Sequence, residues 1–264
     1  MSRPAPKHTH TGPFTASQLS ESDRYELTEG HPVYRGPGGG DHARTSTLAA
    51  EVVDSDPDAE ETGVDAGYSW EPSALRAPDV AVGNVPDRPG WIPGAPKLAI
   101  EVATANQDES DLQQKLAELF RAGTRLVWVV RLVGSRRVEV YEAEKLVRVV
   151  GPGEKLLAPG ILRNPVPVEA LYDRRVAHDV TFHNLLNRLG YQDLEQVKAE
   201  GVKEGLQEGT LVSVVSLFAA RLGRPVSDDE ERILAARIPA LGLDAVQRAA
   251  LEMDAAGLAA WLRS

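Results

Sequence analysis

One amphipathic helix pattern between two apolar runs limits the folds that are open to this chain. The helix pattern is DESDLQQKLAELFRAG, and it separates the strand-like runs KLAIEVA and RLVWVV. Its leucines recur at the spacing of one helix face, and Gly123 is a natural terminator. A helix between two strands forms a crossover, so the two strands can lie parallel. The pattern predicts an α/β or α+β domain with a mixed sheet.

Further strand patterns lie on both sides of this crossover. They are APDVAVGN before it, and RRVEVYEA and KLVRVV after it. Each is bounded by turn residues and rich in valine, which is typical of strands. Near the N-terminus, HARTSTLAAEVVDSD has the apolar spacing of a helix. The predicted sheet therefore has additional strands beside the crossover pair.

The segment RYELTEGHPVYRG predicts a hairpin over Tyr25 to Arg35. Glu26 and Glu29 on this hairpin are expected to be exposed, and the alternative is that they supply an extra acidic group to a site. The following glycines, GPGGG, precede Asp41 and His42. A phosphate-binding loop would need a Lys-Ser/Thr pair there, so the glycines predict a turn instead.

Changes in composition divide the chain into three parts. Residues 1–22 are polar and lack the apolar segment of a signal peptide, and we expect a disordered tail. Residues 23–178 carry the strand patterns and form the predicted sheet domain. Residues 179–264 are rich in alanine and leucine at helical spacing, which predicts an all-helical module. We expect a homo-oligomer, formed through the sheet domain or the helical tail.

Composition excludes several classes of site. The 264 residues include no cysteine, which excludes disulfides, thiolate nucleophiles and cysteine zinc sites and fits a cytoplasmic protein. No run approaches the ~18–20 apolar residues of a membrane span, so no membrane partner is expected. The net charge of −10 is unlike the basic surface of most nucleic-acid binders. Any nucleic-acid contact is therefore expected to be local or metal-assisted.

Glu101 is an acidic residue inside an apolar strand pattern, between Ile100 and Val102. A buried carboxylate is costly unless it is paired, hydrogen-bonded or bound to a metal. Asp79 begins the preceding strand pattern, so a hairpin would bring the two carboxylates together, and such oxygen ligands suit Mg²⁺. The alternatives are that Asp79 is a turn residue and that Glu101 is a strand-edge carboxylate facing solvent.

Lys115 completes the candidate set from the helix. It precedes Leu116 and lies three residues after Leu112, at the edge of the apolar face. From there its long side chain can extend toward the end of the neighbouring sheet. The alternative is a solvated helix lysine, the common state of this residue type. Two carboxylates and a lysine together predict a metal-dependent phosphodiesterase, in which the lysine orients the nucleophile or stabilises developing charge.

The order of these segments resembles a known family. The segments are YELTEG, APDVAV, PGAPKLAIEVATAN, DLQQKLAELFRAGTRLVWVV, VEVYEA and PGILRNPVPVEALY, from about Tyr25 to Tyr172. Together they resemble the Uma2 family (DUF820), restriction-endonuclease-like proteins of the PD-(D/E)XK nuclease superfamily. The resemblance implies a restriction-endonuclease-like fold, in which helices flank a mixed β-sheet.

The resemblance also implies a site. A divalent metal, Mg²⁺ or Mn²⁺, is expected at Asp79 and Glu101, with the backbone carbonyl of Val102 as a further ligand. The superfamily lysine usually lies two residues after the second acid, where this chain has Ala103. The matching position in this family is Lys115 on the following helix.

The function implied by the resemblance is hydrolysis of nucleic-acid phosphodiester bonds by an endonuclease, with DNA as the expected substrate. Two alternatives stay open. A nuclease-fold protein with weak or no catalysis could act as an interaction or regulatory module, and the acidic net charge favours this alternative. A hydrolase acting on a small phosphoester is the other.

Overall fold

The computed structural model describes residues 12–105 and 108–263. The chain divides into two compact units, Met1–Gln192 and Asp193–Ser264. The first unit contains the β-sheet, and the second is helical.

The first unit begins with a hairpin and a helix, as the sequence predicts. Strands β1 (Tyr25–Thr28) and β2 (His31–Tyr34) pair antiparallel. Helix α1 spans Gly40–Asp54, and its buried face includes Leu48 and Val52. The first four residues of the GPGGG segment connect β2 to the helix, and the fifth, Gly40, begins α1.

Within the described ranges, six strands form one mixed sheet in the order β3-β4-β5-β6-β7-β8. The strands are β3 (Thr62–Val64), β4 (Val80–Val82), β5 (Leu98–Ala103), β6 (Leu126–Arg131), β7 (Arg137–Glu142) and β8 (Lys145–Val150). Helix α2 (Glu109–Ala122) connects β5 to β6, which are parallel, and all other neighbours are antiparallel. The predicted crossover is therefore confirmed, whereas strand β3 had no clear sequence pattern.

The two faces of the sheet carry different residues because side chains alternate along a strand. On β5, Leu98 and Ile100 face the core that includes α1, whereas Ala99 and Ala103 face α2. Glu101 has the same parity as Ala99 and Ala103, so it lies on the α2 face. The sheet domain is thus covered on both faces, which explains why β5 is buried along its whole length.

The end of the first unit packs back onto α1. Strands β9 (Lys155–Leu156) and β10 (Val166–Pro167) form a short antiparallel pair, and helix α3 (Arg174–Arg188) follows. Asn184 of α3 is buried and donates hydrogen bonds to the Val52 carbonyl and the Ser55 hydroxyl at the end of α1. The predicted boundary between residues 178 and 179 falls inside α3 and is wrong, because these contacts hold the whole helix in the first unit.

The predicted disordered tail, residues 1–22, is also too long. Residues 1–11 lie outside the described residues. From Phe14 onward the chain is packed, and Phe14, Ala16 and Leu19 are buried against Leu27 and Leu75. A short polar segment with three apolar side chains can still be ordered when each of them enters the core.

The second unit consists of α4 (Leu194–Leu222), α5 (Asp228–Leu241), α6 (Leu243–Glu252) and α7 (Ala255–Trp261). Its core includes Phe218, Leu234, Val246 and Leu258. Ser227 caps α5 in a capping box with Glu230. None of the helices in the described ranges has the length and hydropathy that crossing a membrane would require.

Candidate active site

Asp79 and Glu101 meet across the antiparallel pair of β4 and β5. Val80 pairs with Ile100 in this ladder, so the residue before Val80 lies opposite the residue after Ile100. Directly opposed residues on one face have Cβ atoms about 4.5–5.5 Å apart. The hairpin predicted from the sequence is confirmed, and it brings the two carboxylates to the same end of the sheet.

Helix α2 supplies Lys115. Asp108 caps the helix by accepting hydrogen bonds from the Ser110 and Asp111 amides, and Gly123 ends it in the left-handed conformation. Lys115 lies on the buried face of this helix with 4% of its surface exposed. A lysine in that position needs partners because its ammonium group has lost its water.

The Lys115 ammonium group has three acceptor groups near it, two carboxylates and a backbone carbonyl. Its Nζ lies 2.8 Å from Oε1 and 2.9 Å from Oε2 of Glu101. It donates a 2.7 Å hydrogen bond to the carbonyl of Ala77 and lies 3.5 Å from Oε1 of Glu26. The structure therefore brings Lys115 to Glu101, and the side chain is buried rather than extended toward solvent.

Asp79 is held through one of its two carboxylate oxygens. Oδ2 accepts a 2.6 Å hydrogen bond from the Val102 amide and lies 3.2 Å from Nε2 of His42. These two contacts leave Oδ1 for another partner. The Asp79 side chain is 14% exposed, so it lies at the border between the protein interior and solvent.

The backbone of Val102 also faces the Asp79 carboxylate. The Ala103 carbonyl accepts a hydrogen bond from the Leu132 amide directly after β6, so at this end of β5 the backbone groups of the odd-numbered residue are directed toward β6. Val102 has the opposite parity, and its amide bonds to Asp79 on the β4 side. Because the N–H and C=O of one strand residue point to the same side, the Val102 carbonyl is also directed toward the β4 side.

A buried network of charges surrounds Lys115, and the sequence did not predict it. Arg76 donates hydrogen bonds to Glu26 at 2.8 Å, to Glu118 and to the Thr28 hydroxyl. Arg35 also donates to Glu26, at 3.1 Å. The predicted exposure of Glu26 is wrong, because this carboxylate turns inward from the hairpin to reach two guanidinium groups. Glu29, at the turn of the hairpin, is exposed as predicted.

The charges in this network shift the pKa values of its carboxyl groups in opposite directions. Burial, assisted by the negative charges of Asp79 and Glu26, raises the pKa of Glu101 to about 8 although Lys115 opposes the shift. Burial would also raise the pKa of Glu26, but the positive charges of Lys115, Arg35 and Arg76 lower it to about 2. Glu101 is thus the carboxyl group for which further positive charge would be most favourable.

Lys115 is a cation of this network, as are Arg76 and Arg35. Burial would lower the pKa of its ammonium group, but the carboxylates of Glu101, Glu26 and Asp79 raise it above the usual value. A protonated lysine beside two acidic side chains can donate hydrogen bonds and stabilise negative charge, but it cannot accept a proton.

The residues present fit a divalent cation. Oε1 of Glu101 is buried, and among the described residues it has the ion pair with Lys115 at 2.8 Å and no further hydrogen-bond donor. Oδ1 of Asp79 is outside the two contacts given above. No group of three or more acidic, histidine or cysteine side chains arranged for a metal occurs in the part of the chain that the structure describes. Mg²⁺ is commonly held by one or two carboxylates with water in the remaining positions. Two carboxylates and one carbonyl therefore suffice.

An open cleft of about 840 Å³ gives access to these groups. Asp79, Glu101 and Lys115 line it together with His42 from the first turn of α1 and Asp65 after β3. The Asp79 hydrogen bond raises the pKa of His42. Burial and the charge of Asp79 raise the pKa of Asp65. The cleft thus reaches the candidate site from the side of the hairpin and α1.

Several residues of the site were missed because they come from separate elements. Arg76 lies in a connection and His42 on α1, and no local pattern links them. Glu26 on the hairpin was a possible acidic group, but exposure was the favoured interpretation. Glu118 had a usable signal. It lies three residues after Lys115, and residues three apart share a helix face.

Comparison with known proteins agrees with this architecture. The Uma2 family, described as "Putative restriction endonuclease", matches residues 14–166. A solved structure with a similar fold is that of a "putative nuclease belonging to DUF820" from Anabaena variabilis ATCC 29413. The two chains are 18% identical with a TM-score of 0.52, and the alignment covers 60% of this chain and 97% of the Anabaena chain. None of the curated proteins compared with the chain is significantly similar to it.

The family match extends over more than half of the chain and includes Glu26, Asp79, Glu101 and Lys115. The similar solved structure supports the predicted nuclease-like fold independently of close sequence similarity. The resemblance inferred from the sequence segments is confirmed, and the chain belongs to the Uma2 family.

Proposed function

We propose that this protein is a metal-dependent endonuclease that hydrolyses phosphodiester bonds, with DNA as its substrate. Asp79, Glu101 and the Val102 carbonyl would hold Mg²⁺ or Mn²⁺, and Lys115 would be the catalytic lysine. The observation that carries the proposal is the position of the Lys115 ammonium group, which lies within 2.9 Å of both oxygens of Glu101. Glu101 itself lies opposite Asp79 in the strand pairing. Membership of the Uma2 family supports the same chemistry.

The environment of Lys115 supports a role beyond ion pairing. The carboxylates of Glu101 and Glu26 and the Ala77 carbonyl fix its Nζ, so little reorganisation would be needed when a substrate binds. A preorganised cation of this kind is most effective where negative charge develops in the transition state. Lys115 would donate to the attacking water or to a non-bridging phosphate oxygen, and it would retain its proton.

The carboxylates would supply the metal-binding part of the site. When bound, a divalent metal lowers the pKa of a coordinated water and offsets the charge of a phosphate. Glu101 would offer its buried Oε1, whose partner among the described residues is the Lys115 ammonium group, and Asp79 would offer Oδ1. The cleft beside them would admit the substrate backbone.

A nuclease assay with matched variants tests the proposal. Single- and double-stranded DNA and RNA would be incubated with the wild type, Glu101→Gln and Lys115→Ala, each with Mg²⁺ and with Mn²⁺. We expect each variant to lose at least about 100-fold in cleavage rate, as is typical when one transition-state contact is removed. Lys145→Ala, which changes an exposed lysine on β8, serves as the control and should cleave at the wild-type rate.

Circular dichroism would establish that each variant is folded before the rates are compared. Wild-type protein that cleaves none of the four substrates with either metal would contradict the proposed activity. Cleavage that persists in Glu101→Gln and Lys115→Ala would show that another site is responsible.

The alternative function is a non-catalytic interaction module. The net charge of −10 favours it, because such a chain gains little from the phosphate charges of nucleic acid. Calorimetric titration with Mn²⁺ separates the two functions: a nuclease should bind the metal and lose this binding in Asp79→Asn, whereas an interaction module should be indifferent to metal. Self-association through the sheet domain or the helical unit, and a cytoplasmic location, stay predictions.

A further inference from the structure

His42 is the one imidazole in the described chain that contacts the candidate metal-binding carboxylates. It lies in the first turn of α1, and its side chain is 25% exposed in the cleft. Nε2 of His42 is 3.2 Å from Oδ2 of Asp79. The sequence pattern had marked this residue only as a departure from a phosphate loop. The contact joins α1 to the start of β4, two elements separated by the whole of β3.

The fold leaves space for this imidazole. A Cβ atom added at Gly38 would lie 2.6 Å from Nδ1 and 3.0 Å from Cγ of His42. Real Cβ atoms essentially never approach other atoms so closely, so any side chain at position 38 would displace the ring. A Cβ added at Gly40, two residues further on, would meet no atom within 4 Å. The glycine at position 38 thus permits the ring position, whereas the glycine at position 40 does not affect it.

The contact falls on the oxygen of Asp79 that is already engaged. Oδ2 receives the 2.6 Å hydrogen bond from the Val102 amide and faces Nε2 of His42. Two donors on one oxygen restrict rotation of the carboxyl group about its terminal bond. Oδ1 is then kept away from these donors and available to a metal. Hydrogen-bonded partners of this kind commonly orient carboxylate ligands in metal sites.

We infer that His42 is a positioning residue, whose Nε2–H holds the Asp79 carboxylate in the orientation that binds the divalent metal. This inference rests on the proposed metal site at Asp79 and Glu101. It assigns to α1 a part in the site that the acid and lysine residues alone do not reveal. The donor role requires a proton on Nε2, which both the imidazolium ion and one neutral tautomer provide.

Calorimetric titration with Mn²⁺ tests the inference without any activity measurement. His42→Ala removes the donor and should weaken Mn²⁺ binding by about 10- to 100-fold, as loss of an outer partner of a metal ligand commonly does. His42→Gln keeps an N–H donor at a similar distance from the backbone and should recover most of the lost affinity. Gly38→Ala should displace the ring and weaken binding in the same way as His42→Ala. Gly40→Ala is the matched control and should bind Mn²⁺ like the wild type.

The outcomes separate this inference from the proposed function. Wild-type protein that binds no Mn²⁺ would overturn both. Wild-type binding with equal affinity in His42→Ala and Gly38→Ala would overturn the role of His42 and leave the proposed metal site intact. Equal losses in His42→Ala and His42→Gln, with both variants folded by circular dichroism, would also overturn it, because they would show that the ring only fills space.

Discussion

The two units of this chain bury different kinds of side chain. The sheet unit encloses Glu26, Arg76, Glu101, Lys115 and Glu118, whereas every buried residue of the helical unit, within the described range, is apolar. Apolar burial stabilises a fold without needing exact partners, but a buried charge is tolerated only when its partners are in place. With Asp56 and Glu139, the sheet unit encloses seven charged side chains. It therefore depends on their mutual geometry, and this dependence marks it as the unit that carries the candidate site.

The largest expected effect comes from Arg76→Met. This change leaves Glu26 and Glu118 buried without their guanidinium partner and should lower the free energy of unfolding of the sheet unit by about 4 kcal/mol. Urea titration with hydrogen–deuterium exchange, followed on peptides of each unit, measures it. Arg148→Met, which breaks an exposed pair with Glu154, should cost no more than about 0.5 kcal/mol. Equal effects of the two changes would contradict the dependence of the buried charges in the sheet unit on their partners.

The corresponding change in the helical unit is Leu234→Ala. It removes a fully buried side chain from an apolar core and should cost about 3 kcal/mol through lost burial and the cavity left behind. Hydrogen exchange should rise in peptides of α4 to α7. The experiment would contradict the assignment of this core if Leu234→Ala were no more destabilising than Leu251→Ala, whose side chain is exposed.

Acid should act on the sheet unit through Glu26. Its pKa is about 2 in the folded protein against an ordinary value of 4.5, so the folded state holds the proton less tightly. The resulting stabilisation, at most about 3 kcal/mol, is fully present above pH 4.5 and is lost as the pH falls toward 2. In Glu26→Gln this part of the pH dependence should disappear. Unfolding measured between pH 7 and pH 2 would reveal it, and an unchanged acid limb in the variant would contradict it.

The smallest effect is expected at the cap of α5. Ser227→Ala removes the hydroxyl that caps the helix in its capping box and should destabilise the helical unit by about 1 kcal/mol. Ser213→Ala, inside α4, is the control and should have little effect, because that hydroxyl bonds only to a carbonyl of its own helix. Thermal unfolding of both variants measures the difference.

Local patterns predicted much of the sheet unit. The apolar spacing of α2 and its Gly123 terminator led to the crossover between β5 and β6, and the valine-rich runs led to three of the sheet's other strands, β4, β7 and β8. Strand β3 was missed because Thr62–Val64 is short and lies at the sheet edge, where only one neighbour constrains it. Helix α3 was assigned to the wrong part because its contacts with α1 are distant in sequence.

In the candidate site, too, local patterns revealed some residues and contacts distant in sequence decided the others. Glu101 could be found because it departs from the apolar pattern of its strand. For Asp79 and Lys115 the local patterns left a turn residue and a solvated lysine as alternatives, and the family resemblance favoured the site. The partners of these residues could not be found in this way: Glu26 is 50 residues from Arg76, and Arg76 is 42 residues from Glu118. Neither separation produces a periodicity that a sequence pattern can reveal.

The sequence by itself determined the secondary structure around the crossover and the acid–lysine set, because hydrophobic periodicity and the cost of a buried charge act within a few residues. Only the tertiary structure decided that Glu101 faces α2, that Lys115 is enclosed by Glu26 and Glu101, and that His42 reaches Asp79. Those outcomes depend on register and on packing between elements, which place side chains from distant parts of the chain within a few ångströms of each other.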